Sequence, residues 1–151
     1  MSVNSPTRLF RGVAIAEALT WTGLLIGMFL KYGPPDNEMG VRIFGMLHGI
    51  VFVAYVVTTA VVWVDRRWSV GRGLLALVAA VPPLATLPLE WWAVRRGWLA
   101  DRWRLPAGAG ATAPDRAIAW LLRNPLRGLG VGLVAVAALT GLALLVGPPG
   151  A

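Results

Sequence analysis

The chain has 151 residues, of which 57% are hydrophobic and only 14% charged, against the roughly 25% charged residues of an ordinary soluble domain. Its apolar residues fall in long blocks that match a bilayer core of about 30 Å, which argues against a soluble fold and for an all-α integral membrane helical bundle. Cysteine is absent, which removes disulfides, thiolate metal sites and cysteine nucleophiles, and the net charge of +7 rests on arginines flanking the apolar blocks, where lipid headgroups and not nucleic acid are the expected partners.

In chain order, the basic start from Met1 to Arg11 and the apolar run Val13 to Leu30 imitate a secretory signal. The run is too long for one, contains Glu17 and ends at Lys31-Tyr32-Gly33-Pro34 without a small-x-small cleavage site, so it reads as a retained first span over about residues 9–30. Pro34-Pro35-Asp36-Asn37 stops that helix. A second span, about 43–64, closes in an interfacial cluster of Trp63, Asp65, Arg66, Arg67 and Trp68.

The third apolar block, 74–94, contains Pro82, Pro83 and Pro88, each of which removes a helical hydrogen bond. A kinked span is the expected outcome, and a re-entrant hairpin turning at Pro82-Pro83 is the alternative. Four full spans with a cytoplasmic N-terminus leave five basic residues inside and nine outside, against the usual bias, whereas the hairpin puts all but Lys31 and Arg42 on one side. Residues 97–116 read as a flexible basic loop, 117–122 as a short surface helix and 126–146 as a fourth transmembrane helix. Gly128, Gly130 and Gly132 would let another helix approach the last span closely.

The run Arg8-Leu9-Phe10-Arg11 to Ala16-Glu17, then Lys31-Tyr32-Gly33, His48-Gly49 and Phe52-Val53-Ala54-Tyr55, resembles the YdzA-like family of small bacterial integral membrane proteins, a domain of unknown function. The resemblance continues through Trp68-Ser69 to Glu90-Trp91-Trp92 and covers about residues 8–96. It implies a three-helix membrane domain with residues 117–151 added beyond the family pattern, and it supplies no catalytic residue.

Glu17, His48 and Glu90 are ionisable groups inside spans, where such residues are costly and face the bundle interior. Reflecting the first two spans about residue 36 places Glu17 level with Tyr55, Gly27 with Gly45, and Gly23 with Gly49, so the four glycines are expected to pack the two helices closely. A second reflection about residue 68 brings Glu90 within about one helical turn, ~5.4 Å, of His48. Glu17, His48, Tyr55 and Glu90 thus form a candidate polar cluster, readable as interhelical hydrogen bonds that fix helix order or as a proton relay. One histidine and no cysteine leave no closed metal site, and no cofactor is implied. Six of the eight tryptophans, Trp63, Trp68, Trp91, Trp92, Trp98 and Trp103, fall at span ends as an interfacial aromatic belt.

Neither a Gly-x-Ser-x-Gly elbow nor a phosphate-cradling glycine loop occurs, and no enzyme activity is expected. The arginine-rich, alanine- and glycine-rich composition suits a bacterial inner membrane. The expected function is that of an accessory or regulatory subunit binding other membrane components; a homo-oligomeric proton or small-solute transporter is the competing reading.

Overall fold

A computed structural model describes residues 5–34, 37–108 and 112–147. Pro35 and Asp36 of the expected turn, residues 109–111 of the expected loop, and both chain ends lie outside the described residues. Helix α1 (Pro6–Tyr32) begins where the Ser5 side chain accepts the Arg8 amide at 3.2 Å and Pro6 occupies a position that needs no amide donor. Just after α1 the chain folds back, and the Asn37 amide donates to the Leu30 carbonyl at 3.2 Å. Helix α2 (Met39–Arg66) then runs antiparallel to α1 along its length.

Folding back over the last turn of α1 moves the centre of the α1–α2 hairpin to about residue 34, and every level pairing shifts with it. Gly27 meets Gly40 instead of Gly45: a Cβ on Gly27 would lie 2.6 Å from the Gly40 carbonyl carbon and 2.7 Å from the Val41 nitrogen. Gly23 faces the Phe44 ring, Gly45 has only the Leu24 side chain at 3.9 Å, and Gly49 has nothing within 4 Å. The expected close approach of α1 and α2 therefore occurs, one helical turn away from where equal spacing from residue 36 puts it.

Arg67 ends α2 in the left-handed region at φ 50°, and the amides of Arg67 and Trp68 return to the carbonyls of Val64 and Trp63. Helix α3 (Val70–Val78) starts at once under a Ser69 cap, so the third block leaves α2 by a tight reversal. It is not one kinked helix. α3 stops, residues 79–85 turn through Pro82, Pro83 and a left-handed Leu84 (φ 66°), and helix α4 (Thr86–Arg95) returns. The physical reason is donor loss: adjacent prolines remove two amides and restrict the preceding residues. Pro88 sits in the first turn of α4, where the amide has no helical partner to lose.

Hydrogen bonds fix how deep this hairpin goes. Going inward along α1, Thr7 Oγ1 donates to Ala100 O at 2.9 Å, Arg11 pairs with Glu90, Glu17 meets Thr86, and Trp21 Nε1 donates to Ala80 O at 3.4 Å. On the other wall the Gly73 backbone lies under the Trp63 indole and Tyr55 Oη donates to Ala76 O at 2.9 Å. The turn therefore reaches the level of Trp21, about 15 Å beyond Arg11 along the helix, and both feet of the hairpin stay at the end holding the α1 N-terminus and the α2 C-terminus.

After α4, a single 3-10 turn over Leu105–Ala107 leads to helix α5 (Ala113–Arg123), longer at both ends than the expected surface helix because Thr112 and Asp115 form a reciprocal capping box. Helix α6 (Pro125–Val146) is the expected C-terminal span; it packs on α2 and α5 and buries none of its residues. Among the described residues α1, α2 and α6 are long and apolar enough to cross a membrane, and the third block supplies no such helix.

Candidate functional site

The interior between α1, α2 and the re-entrant hairpin holds the polar groups. Glu17 is fully buried; its Oε2 lies 2.7 Å from Thr86 Oγ1, which also reaches the Ala14 carbonyl at 3.3 Å. Its Oε1 has no hydrogen-bond partner among the described residues. A fully buried carboxyl with an open acceptor, in the middle of a membrane helix, is costly and therefore constrained to the bundle interior. Tyr55 lies close enough to Glu17 for the carboxyl to act on it electrostatically, but the two are not hydrogen-bonded: the Tyr55 hydroxyl donates to Ala76 O, and its ring packs on Phe10 at 5.5 Å between centroids.

His48 and Glu90 are not brought together. His48 Nδ1 lies 3.2 Å from Thr20 Oγ1, with its ring 4.5 Å from that of Trp21, while Glu90 accepts Arg11 Nε at 2.8 Å. Arg11 and Thr20 are about 13 Å apart along α1, and the two groups occupy different levels for that reason. The pairing presumed a third helix crossing the whole bilayer; the hairpin instead carries Glu90 back to the basic end. The candidate cluster thus resolves into a Glu17–Thr86 contact and an Arg11–Glu90 ion pair, both tying α1 to α4, and a Thr20–His48 contact tying α1 to α2.

A further polar centre was not singled out from the sequence. Asp65, fully buried at the end of α2, accepts the backbone amides of Arg104 and Leu105 at 3.0 Å, and the Arg104 side chain reaches the Asp65 and Val64 carbonyls and Asp115. Read in sequence, Asp65 is one more charge in an interfacial cluster; only the return of residues 104–105 shows that it anchors the segment leading to α5. Asp65→Ala strands two amides and removes charge-assisted bonds, and is expected to cost about 3 kcal/mol and to open residues 97–116 to protease. Limited proteolysis in detergent checks this, and a variant as resistant as wild type contradicts the anchor.

At the hairpin feet, the two left-handed closures at Arg67 and Gly97 (φ 68°) set Trp68 and Trp98 side by side. Trp68 Nε1 donates to Trp98 O at 2.9 Å, and the Trp92 and Trp98 rings meet edge-on with centroids 4.6 Å apart. The tryptophans expected as a belt are in part a fixed aromatic platform. Guanidinium groups stack on it: Arg72 over Trp98 at 4.9 Å, Arg96 over Trp92 at 5.3 Å and, alongside, Arg95 over Trp91 at 3.8 Å.

These features define a polytopic helical membrane protein with a half-depth hairpin locked into its interior. Residues 7–95 match the family described as a domain of unknown function, DUF3817, and the chain belongs to that family. The matched stretch coincides with the residues that carry the YdzA-like resemblance and ends with α4. A Streptomyces coelicolor protein described as a membrane protein is 47% identical over 112 residues, which are 74% of this chain and 12% of the relative. The chain thus spans about an eighth of the length of the curated relative it matches. No solved structure matches the chain.

Proposed function

We propose that the protein is a non-enzymatic accessory module of the bacterial inner membrane that binds a larger membrane protein. The observation carrying this reading is the relative in which a stretch 47% identical to this chain makes up 12% of a membrane protein, a small part beside a much larger body. The geometry agrees: Arg11–Glu90, Tyr55–Ala76 and Asp65–Arg104 all join elements of this chain to each other, as locks that hold a shape for recognition do. The basic end, with both hairpin feet, faces the cytoplasm in this reading.

Purification in mild detergent followed by mass spectrometry is expected to recover a larger membrane protein in fixed ratio with the chain. Recovery of the chain alone, from cells in which it is expressed at its native level, contradicts the accessory role. The open Oε1 of Glu17 favours a second reading, an oligomeric proton or small-solute transporter. That reading expects the purified protein to dissipate a liposome pH gradient and Glu17→Gln to abolish the effect; gradients left intact by an oligomeric preparation count against it.

A further inference from the structure

Independently of that role, we infer that the cleft between the 3-10 turn and α5 is a binding site for a small dianion, with one acidic group held by Arg116 and the other by Arg123. The cleft has a volume of about 370 Å³, within the range of small-molecule sites, and Leu105 and Gly108 line one side while Arg116, Ala119, Trp120 and Arg123 line the other. The four α5 residues sit at i, i+3, i+4 and i+7, so they share one helix face, and the two arginines stand about 10.5 Å apart along it. Charge, apolar surface and charge therefore follow one another along a single wall.

Both walls are fixed by bonds that lie outside the cleft. Asp65 accepts the Leu105 amide at 3.0 Å, the Thr112–Asp115 capping box sets the start of α5, and Arg104 joins the two sides by reaching Asp115 at 3.2 Å. Gly108, in the left-handed region at φ 94°, puts no side chain into the opening. Arg116 and Arg123 are exposed, and among the described residues neither side chain has an ion-pair or hydrogen-bond partner. Asp115, the carboxylate nearest to them in sequence, is buried and engaged by Arg104 and by its capping box. A ligand with one acidic group would pair one arginine and leave the other without an anion. Two carboxylates or phosphates joined by a short neutral chain pair both, and the chain lies on Ala119 and the Trp120 ring.

The test compares adipate with its monomethyl ester, a probe of nearly the same length carrying one charge fewer, by fluorine NMR of the full chain labelled with fluorotryptophan in detergent. The Trp120 signal, assigned as the one missing from Trp120→Phe, is expected to shift with both probes, and adipate to bind about fivefold more tightly. Arg116→Gln and Arg123→Gln, each alone, are expected to bring adipate down to the affinity of the ester, whereas Arg8→Gln with Arg95→Gln, neither of which lines the cleft, leaves the fivefold gain in place. Equal affinities in wild type, a Trp120 signal that does not move, or a gain lost equally in the Arg8 and Arg95 variant overturns the site. If a glutamine variant does not fold, lysine at the same position keeps the charge; retention of the gain then supports the site, and its loss overturns it. Diphosphatidylglycerol and phosphatidylglycerol at equal phosphate concentration separate the sources of the dianion. Displacement of adipate by the first lipid alone assigns the site to a lipid head with two phosphates, unchanged adipate binding assigns it to a soluble dianion, and equal displacement by both lipids means bulk charge and overturns it.

Discussion

Gly27→Ala is expected to destabilise the α1–α2 hairpin by about 1–3 kcal/mol, while Gly49→Ala stabilises α2 by about 0.5–1 kcal/mol. The opposite signs follow from what each new methyl meets. On Gly27 it lies 2.6 Å from Gly40 carbon and 2.7 Å from Val41 nitrogen, both backbone atoms that no rotamer change can move aside. The facing Gly40 offers no slack, since a Cβ there would lie 2.8 Å from the Gly27 Cα. At Gly49 the methyl meets nothing within 4 Å and only removes the entropic penalty of glycine in a helix. Unfolding midpoints of both variants in one detergent check the pair; a Gly27→Ala protein as stable as wild type contradicts the close approach, and a Gly49→Ala protein that loses stability restores the pairing about residue 36.

Because the protein has no cysteine, single introduced cysteines report topology without background. Arg96→Cys is expected to react with a membrane-impermeant maleimide from the same face as Arg67→Cys, and Asn37→Cys only from the other. The cause is the turn at Pro82-Pro83: with Trp21 bonded to Ala80 and Arg11 to Glu90, the third block enters and leaves at one end of the bundle. The effect is all-or-none in sealed vesicles of known orientation, since a maleimide that cannot cross the bilayer reads only one face. Labelling of Arg96→Cys from the Asn37 side would mean that the block spans, and would undo both the hairpin and the burial of Glu17 against Thr86.

Arg11 and Glu90 make the same point in stability. The pair is part-exposed, with Arg11 half open and Glu90 buried, and replacing the carboxylate removes the charge-assisted bond that holds α4 to α1. Glu90→Gln is expected to loosen the hairpin and to leave the surroundings of His48 unchanged, because the two residues sit at different levels of α1. Chemical-shift mapping of labelled His48 checks this; a shift there equal to that at Arg11 would reinstate the contact.

The sequence by itself determined the class of protein and three of its membrane-crossing elements. Blocks of apolar residues about a bilayer long admit few solutions, because every buried backbone group must be satisfied within its own helix. It also showed that Glu17 must face inward and that something happens at Pro82-Pro83, since a carboxyl in lipid and two missing amides are costly whatever the tertiary fold. Partners were a different matter. Level arithmetic assumes symmetric loops and straight crossing helices, and the amide of Asn37 bonding back to Leu30 broke the first assumption while the hairpin broke the second. Only the tertiary structure could join Glu17 to Thr86, Glu90 to Arg11 and Asp65 to the amides of residues 104 and 105, because each contact spans dozens of residues and depends on where two chain reversals aim the following helix. The stacking of Arg72 and Arg96 on adjoining tryptophans was decided at the same level: composition places such residues near the interface, and the left-handed closures at Arg67 and Gly97 set the rings that hold them side by side.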